Sequence, residues 1–351
     1  FSQSPVSFVS SPSLHRDFAF LETGSGRFVC GTGPFEACPE PPEDGRTAFY
    51  LNDFELSDEA PWKVPTDSFE TDDVRQLLPQ NGSTPLPAVE WHGLRDGGFR
   101  EIYDQIQAAI DAGTLEKSVP VITEHGHLNG GDPAALLKAV DSASSELCGY
   151  GFRLGDAGMV GATPEKLFHV HEGVLETMAL AGTAPKHEAG DFLSDPKEIR
   201  EHEFVAAYLV EKLSEIGEIE RETRSVMDLG SLVHFLSRIR VRLSDPVPDL
   251  DALIRLMHPT PALGAYPRGE GALQMLFEFR NRLKAPPYFG SPFGVLWKGE
   301  FRSVVAIRNV SWSGDEMFLP SGCGIIRESR FDREWRELAL KRNSVKALLG
   351  V

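Results

Sequence analysis

His258-Pro-Thr-Pro-Ala-Leu-Gly-Ala-Tyr-Pro-Arg268 contains too much proline and glycine to form a regular helix or strand. This stretch must therefore adopt a specific irregular backbone. Such a backbone is typical of a ligand-binding loop, but turn chemistry alone describes a rigid structural turn equally well. Residues in other parts of the chain favour the ligand-binding interpretation.

Composition indicates a globular protein. The chain has 351 residues, of which 41% are hydrophobic, so it can bury a large core as one α/β unit or as two domains. No apolar run approaches the roughly 18 to 20 residues of a membrane span, and the start at Phe1 lacks the pattern of a signal sequence. The four cysteines form no Cys-x-x-Cys pair, which argues against structural zinc and a disulfide framework. We therefore expect a protein of the reducing cytoplasm.

The charge of the chain limits the classes of partner. A formal net charge of −17, from 35 basic and 52 acidic residues, opposes binding to nucleic acid or to an anionic membrane. An anionic ligand must then be held locally, by a few cations, by helix N-termini or by a divalent metal.

The chain changes character near Gly97. Residues 1–95 are rich in Pro, Gly, Ser and Asp, whereas the spacing of Ile102, Ile106 and Ile110 predicts an amphipathic helix. Strands are predicted at 27–30, 47–51, 117–122, 149–154, 166–170, 294–297, 303–310 and 324–326. Further helices are predicted at 133–143, 196–217, 273–283 and 332–349. This order favours an α+β fold, and the absence of a Gly-x-Gly-x-x-Gly or phosphate-loop motif disfavours nucleotide-binding folds.

Ser194-Asp-Pro-Lys-Glu198 begins one acidic helix, with Asp195 as a natural N-cap and Pro196 in the first turn. Glu198 fits a capping box with Asp195, and capping is the commoner role of this pattern. Glu201 follows three residues later on the same face, so the carboxylates of Glu198 and Glu201 would repel each other unless a cation neutralised them.

The C-terminal helix repeats this spacing with Glu334 and Glu337, and Lys341 continues the same stripe. A solvated face with a Glu–Lys pair is the commoner meaning of such a stripe. Two Glu-x-x-Glu stripes together can also cage one hard cation, and Mg²⁺ prefers carboxylates and can bridge to an anionic substrate group. A magnesium site would allow this acidic protein to hold a carboxylate ligand.

Lys117 and Glu165 are candidates for proton transfer. Lys117 precedes a strongly apolar strand, where burial would favour a neutral amine that can act as a base. Glu165 lies between a Gly/Pro turn and a strand, where burial would favour a protonated carboxylic acid. Each residue alone is more often an ordinary surface charge, and the pair has catalytic meaning only if both reach one pocket.

Five segments in their order and spacing resemble the chorismate-utilising enzymes, the family that includes isochorismate synthase, salicylate synthase, and component I of anthranilate and aminodeoxychorismate synthases. They are Gly161-Ala-Thr-Pro-Glu-Lys-Leu-Phe168, Leu180-Ala-Gly-Thr183, Lys197-Glu-Ile-Arg-Glu-His-Glu203, the loop 258–268, and Ser321-Gly-Cys-Gly-Ile-Ile326 followed by Arg333-Glu-Trp-Arg-Glu337 and Lys341. The resemblance implies a single α/β/β/α domain over residues 1–351, of stacked antiparallel sheets flanked by helices. Residues 1–95 correspond to the family's variable part and 96–351 to its catalytic core.

The resemblance also implies roles for individual residues. Glu201 and Glu337 would bind Mg²⁺, with Glu198 and Glu334 acting largely through water. Arg308 would bind the enolpyruvyl carboxylate of chorismate. The other positions that would contact the substrate are Gly182, Thr183, His234, Ala262, Leu263, Phe289, Gly322, Gly324 and Lys341. His234 equally fits a structural histidine.

Family resemblance further separates the possible reactions. Members that add water at C2 use the lysine matching Lys117 as general base, and the glutamate matching Glu165 as general acid on the departing C4 hydroxyl. Ammonia-using members typically lack this lysine. A nucleophilic lysine often stands at the position of Ala181 in the aminodeoxychorismate branch, and a hydroxyl residue usually replaces Ala262 in amino-transferring and salicylate-forming members. The chain departs from the family pattern at Ser118, Pro120, Ile122, Ala184, Phe289, Ser291 and Leu338.

The resemblance therefore predicts isochorismate synthase, a magnesium-dependent isomerase that serves menaquinone or siderophore biosynthesis. We expect a cytoplasmic monomer without a glutamine amidotransferase subunit, without nucleic acid and without a membrane partner. Two alternatives remain open. The first is a salicylate synthase, which eliminates pyruvate from isochorismate, and the second is a chorismate-binding member with altered or no turnover.

Overall fold

The computed structural model describes residues 16–24, 26–79, 84–95, 97–141 and 143–351. These residues form two antiparallel sheets, one of 17 strands and one of three. The strands are β1 (Phe18–Gly24), β2 (Arg27–Cys38), β3 (Ala48–Leu51), β4 (Trp62–Thr71), β5 (Ala88–Trp91), β6 (Lys117–Ser118), β7 (Val121–Gly130), β8 (Cys148–Leu154), β9 (Ala157–Thr163), β10 (Lys166–His171), β11 (Val174–Pro185), β12 (Gly217–Arg221), β13 (Ser225–Asp228), β14 (Leu232–Leu243), β15 (Ala265–Tyr266), β16 (Pro292–Trp297), β17 (Glu300–Val305), β18 (Asn309–Ser313), β19 (Glu316–Gly322) and β20 (Ile325–Ile326).

Helices cover the outer faces of the large sheet. They are α1 (Gly97–Asp111), α2 (Leu137–Val140), α3 (Ala189–Phe192), α4 (Pro196–Leu213), α5 (Leu250–Met257), α6 (Glu270–Arg282) and α7 (Phe331–Leu349). No helix formed by the described residues is long and apolar enough to cross a membrane.

Strand β3 shows how the layers are arranged. Because side chains alternate along a strand, its Ala48 and Tyr50 pack into a core with residues of α4, α5 and α6, while Phe49 and Leu51 lie on the opposite face. The cluster around Phe49 also takes side chains from β1, β2, β8, β9, β16 and β17. This cluster therefore lies between two layers of strands.

Strand β1 has the same alternation toward the other outer layer. Its Ala19 and Leu21 join the cluster between the strand layers, and Phe18 and Phe20 join a third cluster that contains residues of α2 and α7. The order of layers is thus helices, strands, strands and helices. The expected α+β architecture of stacked antiparallel sheets flanked by helices is confirmed.

Several sequence-based boundaries were wrong, including the end of the helix predicted at 196–217, which ends at Leu213. The predicted strand 303–310 is two strands, because β17 ends at Val305, β18 begins at Asn309, and Arg308 between them has a left-handed φ of 57°. The predicted strand 117–122 is divided into β6 and β7 at Pro120, which has no N–H to donate to a ladder. The predicted helix 133–143 is a 3₁₀ turn followed by α2, and position 142 lies outside the described residues.

Candidate active site

A cavity of about 650 Å³ brings together most of the predicted site residues. The predicted residues that line it are Glu165, Gly182, Thr183, Glu201, His234, Ala262, Leu263, Phe289, Arg308, Gly322, Gly324 and Lys341. An adjoining cavity of about 690 Å³ is lined by Glu198, Glu334 and Glu337, and Thr183 lines both cavities. Lys117 lies behind the wall of the first cavity, fully buried, and hydrogen-bonds Glu201.

Helix α4 begins as the sequence predicts. Asp195 caps it by accepting hydrogen bonds from the backbone N–H groups of Lys197, at 2.9 Å, and Glu198, at 3.5 Å. The capping-box role expected for Glu198 is wrong, because its carboxylate accepts instead from the backbone N–H of Thr183 at 2.7 Å. The first turn of α4 therefore directs Glu198 toward β11 and the adjoining cavity.

Lys197 lies among three of the four predicted metal-binding carboxylates. Its Nζ is 3.1 Å from Glu198 Oε1, 3.0 Å from Glu201 Oε2 and 3.4 Å from Glu334 Oε1. Burial and mutual repulsion raise the pKa of Glu198 and of Glu334, although the Lys197 ammonium opposes the increase. Burial also acts on Glu201, but Lys117 and Lys197 outweigh it and hold the pKa of Glu201 below its ordinary value.

The donor chemistry of this cluster fits a hard cation such as Mg²⁺, since the four groups are carboxylates and Oε2 of Glu334 is buried without a hydrogen-bond partner. Gly324 leaves room for the Glu201 carboxylate, because a Cβ at this position would clash with Glu201 Oε1. As the side chains stand, no group of three or more His, Cys, Asp or Glu within the described ranges is arranged to hold a metal. The Lys197 ammonium lies among three of these carboxylates, so we expect it to compete with a metal for them.

Sequence reasoning did not assign a role to Lys197. The signal was present in the quoted segment, because Lys197 and Glu201 have the i, i+4 spacing of a helical ion pair. What the sequence does not show is that the carboxylate of Glu334, from the distant helix α7, approaches the same ammonium.

The two candidates for proton transfer differ in their surroundings. Lys117 Nζ donates to Glu201 Oε1 at 3.0 Å, and its side chain is fully buried. Glu165 faces the cavity with 5% of its surface exposed. Burial raises the pKa of Glu165 to about 7, partly offset by the ammonium groups of Lys117 and Lys341. A substantial fraction of Glu165 therefore keeps its proton near neutral pH, as expected for a general acid.

A bulge in β11 places Gly182 and Thr183 at the cavity wall. The register with β14 shifts between Ala181 and Thr183, and Gly182 has a φ of 75°, which favours glycine. The N–H of Thr183 then reaches Glu198, and the carbonyl of Gly182 lies 3.0 Å from Nδ1 of His234.

His234 and Arg308 form a directed hydrogen-bond pair. A guanidinium can only donate, so Nη2 of Arg308 donates to Nε2 of His234 at 3.2 Å. In the neutral ring Nδ1 then carries the proton, and it donates to the Gly182 carbonyl. Burial, with Arg308 and Lys341 nearby, keeps the pKa of His234 well below its ordinary value, which agrees with this neutral form.

The loop 258–268 forms part of the cavity wall and is held in place by hydrogen bonds. Nε2 of His258 donates to the carbonyl of Phe54 at 2.8 Å, and Arg268 donates to the hydroxyl of Tyr208 and to the carbonyls of Leu256, Arg255 and His258. These contacts hold Ala262 and Leu263 against the cavity.

Lys341 connects two further parts of the site. Its Nζ is 2.6 Å from Glu337 Oε1 and donates to the carbonyl of Gly322 at 2.8 Å. The ammonium thus neutralises the fourth carboxylate of the acidic stripes. It also fixes the end of β19, where Gly322 and Gly324 line the cavity.

Known proteins are similar to this chain in sequence and in fold. The chain is 28% identical over 257 residues to the salicylate biosynthesis isochorismate synthase of Pseudomonas aeruginosa, covering 69% of this chain and 52% of that protein. It is 29% identical over 208 residues to anthranilate synthase component 1 of the same organism, covering 56% of this chain and 42% of that protein. The chain thus spans about half the length of the curated relatives it matches.

Among solved structures, MenF, the menaquinone-specific isochorismate synthase from Escherichia coli, is similar with a TM-score of 0.80 at 18% identity, covering 97% of this chain and 90% of that one. The sequence model of chorismate binding enzymes matches residues 42–347, which include every residue of the two cavities discussed above. The chain therefore belongs to the chorismate binding enzyme family.

Proposed function

We propose that this chain is an isochorismate synthase, which converts chorismate to isochorismate by adding water at C2 and releasing the C4 hydroxyl. The observation that carries the proposal is the state of Glu165. Its buried carboxyl faces the cavity, and no described residue donates a hydrogen bond to it. A pKa of about 7 leaves a substantial fraction of Glu165 protonated near neutral pH and able to give its proton to a leaving hydroxyl.

Lys117 is the proposed general base. Its Nζ contacts Oε1 of Glu201 at 3.0 Å, and it acts as the base in the form whose amine nitrogen has a free lone pair. In the forward reaction Lys117 takes a proton from the attacking water, the ring double bonds shift, and Glu165 gives its proton to the C4 oxygen. Water is consumed at C2 and released from C4, so the reaction is a net isomerisation.

The two charged ends of the site suit a substrate with two carboxylates. We assign the enolpyruvyl carboxylate of chorismate to Arg308, with the backbone of Gly322 and Gly324 and the Lys341 ammonium beside it. The ring carboxylate lies toward Glu201 and Glu337, which with Glu198 and Glu334 would hold Mg²⁺. When bound, this cation neutralises the ring carboxylate within an otherwise acidic cluster.

The choice of reaction within the family rests on side chains of this chain. Lys117 and Glu165 are both present, Ala181 provides no nucleophile, and Ala262 provides no hydroxyl at the cavity wall. The similarity to an isochorismate synthase of salicylate biosynthesis supports the same choice. We infer a small-molecule substrate and no amidotransferase partner, since the proposed reaction uses water and not ammonia.

Product analysis tests the proposal. Purified protein is incubated with chorismate and Mg²⁺, with and without ammonium chloride, and the products are separated by chromatography. Formation of isochorismate alone supports the proposal. Salicylate with pyruvate identifies a salicylate synthase, unchanged chorismate identifies a binding protein without turnover, and an ammonia-dependent aminated product overturns the proposal.

A further inference from the structure

Ser344, on helix α7, holds the second arm of the Arg308 guanidinium. Nη1 of Arg308 donates to Ser344 Oγ at 2.8 Å, while Nη2 donates to His234 as described above. Ser344 is half-buried, and it lies three residues after Lys341 on the same helix. The two terminal nitrogens of the guanidinium are therefore attached to two different elements, α7 and β14.

The direction of the Ser344 hydrogen bonds is fixed. Its hydroxyl has one proton, which it donates to the carbonyl of Lys341 at 2.7 Å within the helix. The lone pairs of Oγ then face Arg308, which can only donate. Ser344 is thus a pure acceptor toward the guanidinium.

Both acceptors on Arg308 are neutral. Within the part of the chain that the structure describes, no carboxylate lies within ion-pair distance of Arg308, although this residue is half-buried. Neutral acceptors fix the orientation of the guanidinium without pairing its positive charge, which the more distant Glu337 carboxylate offsets in part. The charge is then available to an incoming carboxylate, which forms stronger hydrogen bonds than a neutral group.

The backbone adds to this constraint. Arg308 lies between β17 and β18 with a φ of 57°, a conformation that a non-glycine residue adopts only where its surroundings hold it. The strained backbone fixes the direction in which the Arg308 side chain leaves the chain, and Ser344 and His234 fix the position of its guanidinium.

We propose that Ser344 is a positioning residue, which orients Arg308 as a neutral acceptor so that the guanidinium meets the carboxylate of the ligand with its charge unpaired. The proposal rests on the proposed function for the identity of the ligand. The sequence carries a signal for it, because Ser344 continues the helical stripe of Glu334, Glu337 and Lys341 by one more turn.

Binding and steady-state kinetics test the proposal with graded variants. We expect Ser344→Ala to raise the Kd and KM for chorismate about tenfold, the usual effect of losing a hydrogen bond to a charged group. Turnover number should change little, because the anchor acts in ground-state binding and not at the reacting carbons. Ser344→Thr keeps the acceptor and should restore affinity, whereas Ser344→Asp places a carboxylate on the guanidinium and should weaken binding more than Ser344→Ala.

Asn343→Ala is the matched control, since Asn343 is the exposed neighbour of Ser344 on the same helix. Wild-type affinity in Ser344→Ala overturns the proposal. So does an equal loss of affinity in Ser344→Ala and Asn343→Ala, which would indicate a general disturbance of α7. A tighter complex with Ser344→Asp than with Ser344→Ala also overturns it.

A measurement on the free protein separates this proposal from the proposed function. In ¹⁵N-arginine-labelled protein, assigned with Arg308→Lys, we expect resolved Nη–H signals for Arg308 because its hydrogen bonds hinder rotation of the guanidinium. Ser344→Ala should merge these signals. Retained signals in Ser344→Ala overturn the role of Ser344 even if chorismate is converted. Merged signals support it even if isochorismate does not form.

Discussion

The Lys117 ammonium lies 3.0 Å from Oε1 of Glu201, and both side chains are buried. The pair joins the proposed base of the reaction to a proposed metal ligand. Because each side chain is the other's buried partner, we expect a change in one to displace the other. The proposed base and the proposed metal ligand would then depend on each other for their positions.

Substitution of Lys117 tests the proposed base. Lys117→Ala should lower kcat for isochorismate formation by about 10²- to 10⁴-fold, the usual contribution of a general base, while chorismate still binds. Coupled turnover assays and isothermal titration calorimetry measure the two quantities. Lys212→Ala, at an exposed ion pair, is the control. Undiminished turnover in Lys117→Ala would show that another group activates water.

The pH dependence of activity tests Glu165 as general acid. Burial raises the pKa of Glu165 to about 7, so the carboxyl carries the required proton below this pH and loses it above. We expect kcat/KM for chorismate to fall as pH rises through about 7. Steady-state kinetics over about three pH units, from roughly pH 6 to pH 9, would measure this. A flat profile over this range contradicts the assignment.

Unfolding measurements test the same carboxyl without using activity. A carboxyl whose pKa rises from 4.5 to about 7 on folding stabilises the protein at low pH, and this stability is lost as pH rises through about 7. Glu165→Gln cannot ionise, so its free energy of unfolding relative to wild type should increase between pH 5 and pH 8, by an amount on the order of 3 kcal/mol. Glu172→Gln, at an exposed turn, should show no such trend. Urea denaturation at both pH values gives the comparison, and parallel curves for wild type and Glu165→Gln would refute the buried acid.

Lys197 and magnesium should compete for the same carboxylates. We expect Mg²⁺ at about 100 times its Kd to raise the Tm by about 3 to 4 °C in wild type, and by much less in Glu201→Gln. Lys197→Met should lower the Tm of the metal-free protein, since three carboxylates lose their ammonium, and should bind Mg²⁺ more tightly. Differential scanning calorimetry and titration calorimetry measure these effects.

Lys186→Met provides the control for Lys197→Met. The ion pair of Lys186 with Asp228 is exposed, and neither residue belongs to the carboxylate cluster. Weaker Mg²⁺ binding in Lys197→Met than in wild type would mean that the lysine assists the metal and does not compete with it.

The bulge at Gly182 should tolerate no side chain. In Gly182→Ala, the φ of 75° strains the new residue and its Cβ lies 2.9 Å from the carbonyl oxygen of Glu198. We expect the free energy of unfolding to fall by about 1 to 3 kcal/mol, with weaker chorismate binding because Thr183 is displaced. Gly190→Ala is the control, since Gly190 has open space around it. Equal stability of the two variants would contradict the strain at the bulge.

Local patterns identified much of this molecule. The cap at Asp195 and the stripe of Glu334, Glu337 and Lys341 follow from helical spacing, which the structure confirms. The layers also followed, because strands joined through turns and family resemblance both implied stacked antiparallel sheets. Spacing along the chain can be read from a single sequence, so these features could be predicted.

Features that depend on contacts between distant segments could not be predicted from the sequence. The run 303–310 resembles one continuous strand along the chain, whereas the structure divides it by a left-handed turn at Arg308, whose side chain contacts His234 and Ser344. In the same way, Lys197 is an ordinary helical lysine until α7 brings Glu334 within 3.4 Å of its ammonium. Such relationships arise from long-range packing, which spacing along the chain does not encode.

Helix α7 also fixes the distance between two parts of the candidate site. It carries Glu337 at the carboxylate cluster and Ser344 at the Arg308 anchor, seven residues apart, which is about 10 Å along a helix that rises about 1.5 Å per residue. Because one helix supports both ends, we expect the gap between the two proposed anion-binding positions to stay fixed when a ligand binds. Under the proposed function, this fixed gap would favour small dicarboxylates whose negative charges have a matching separation.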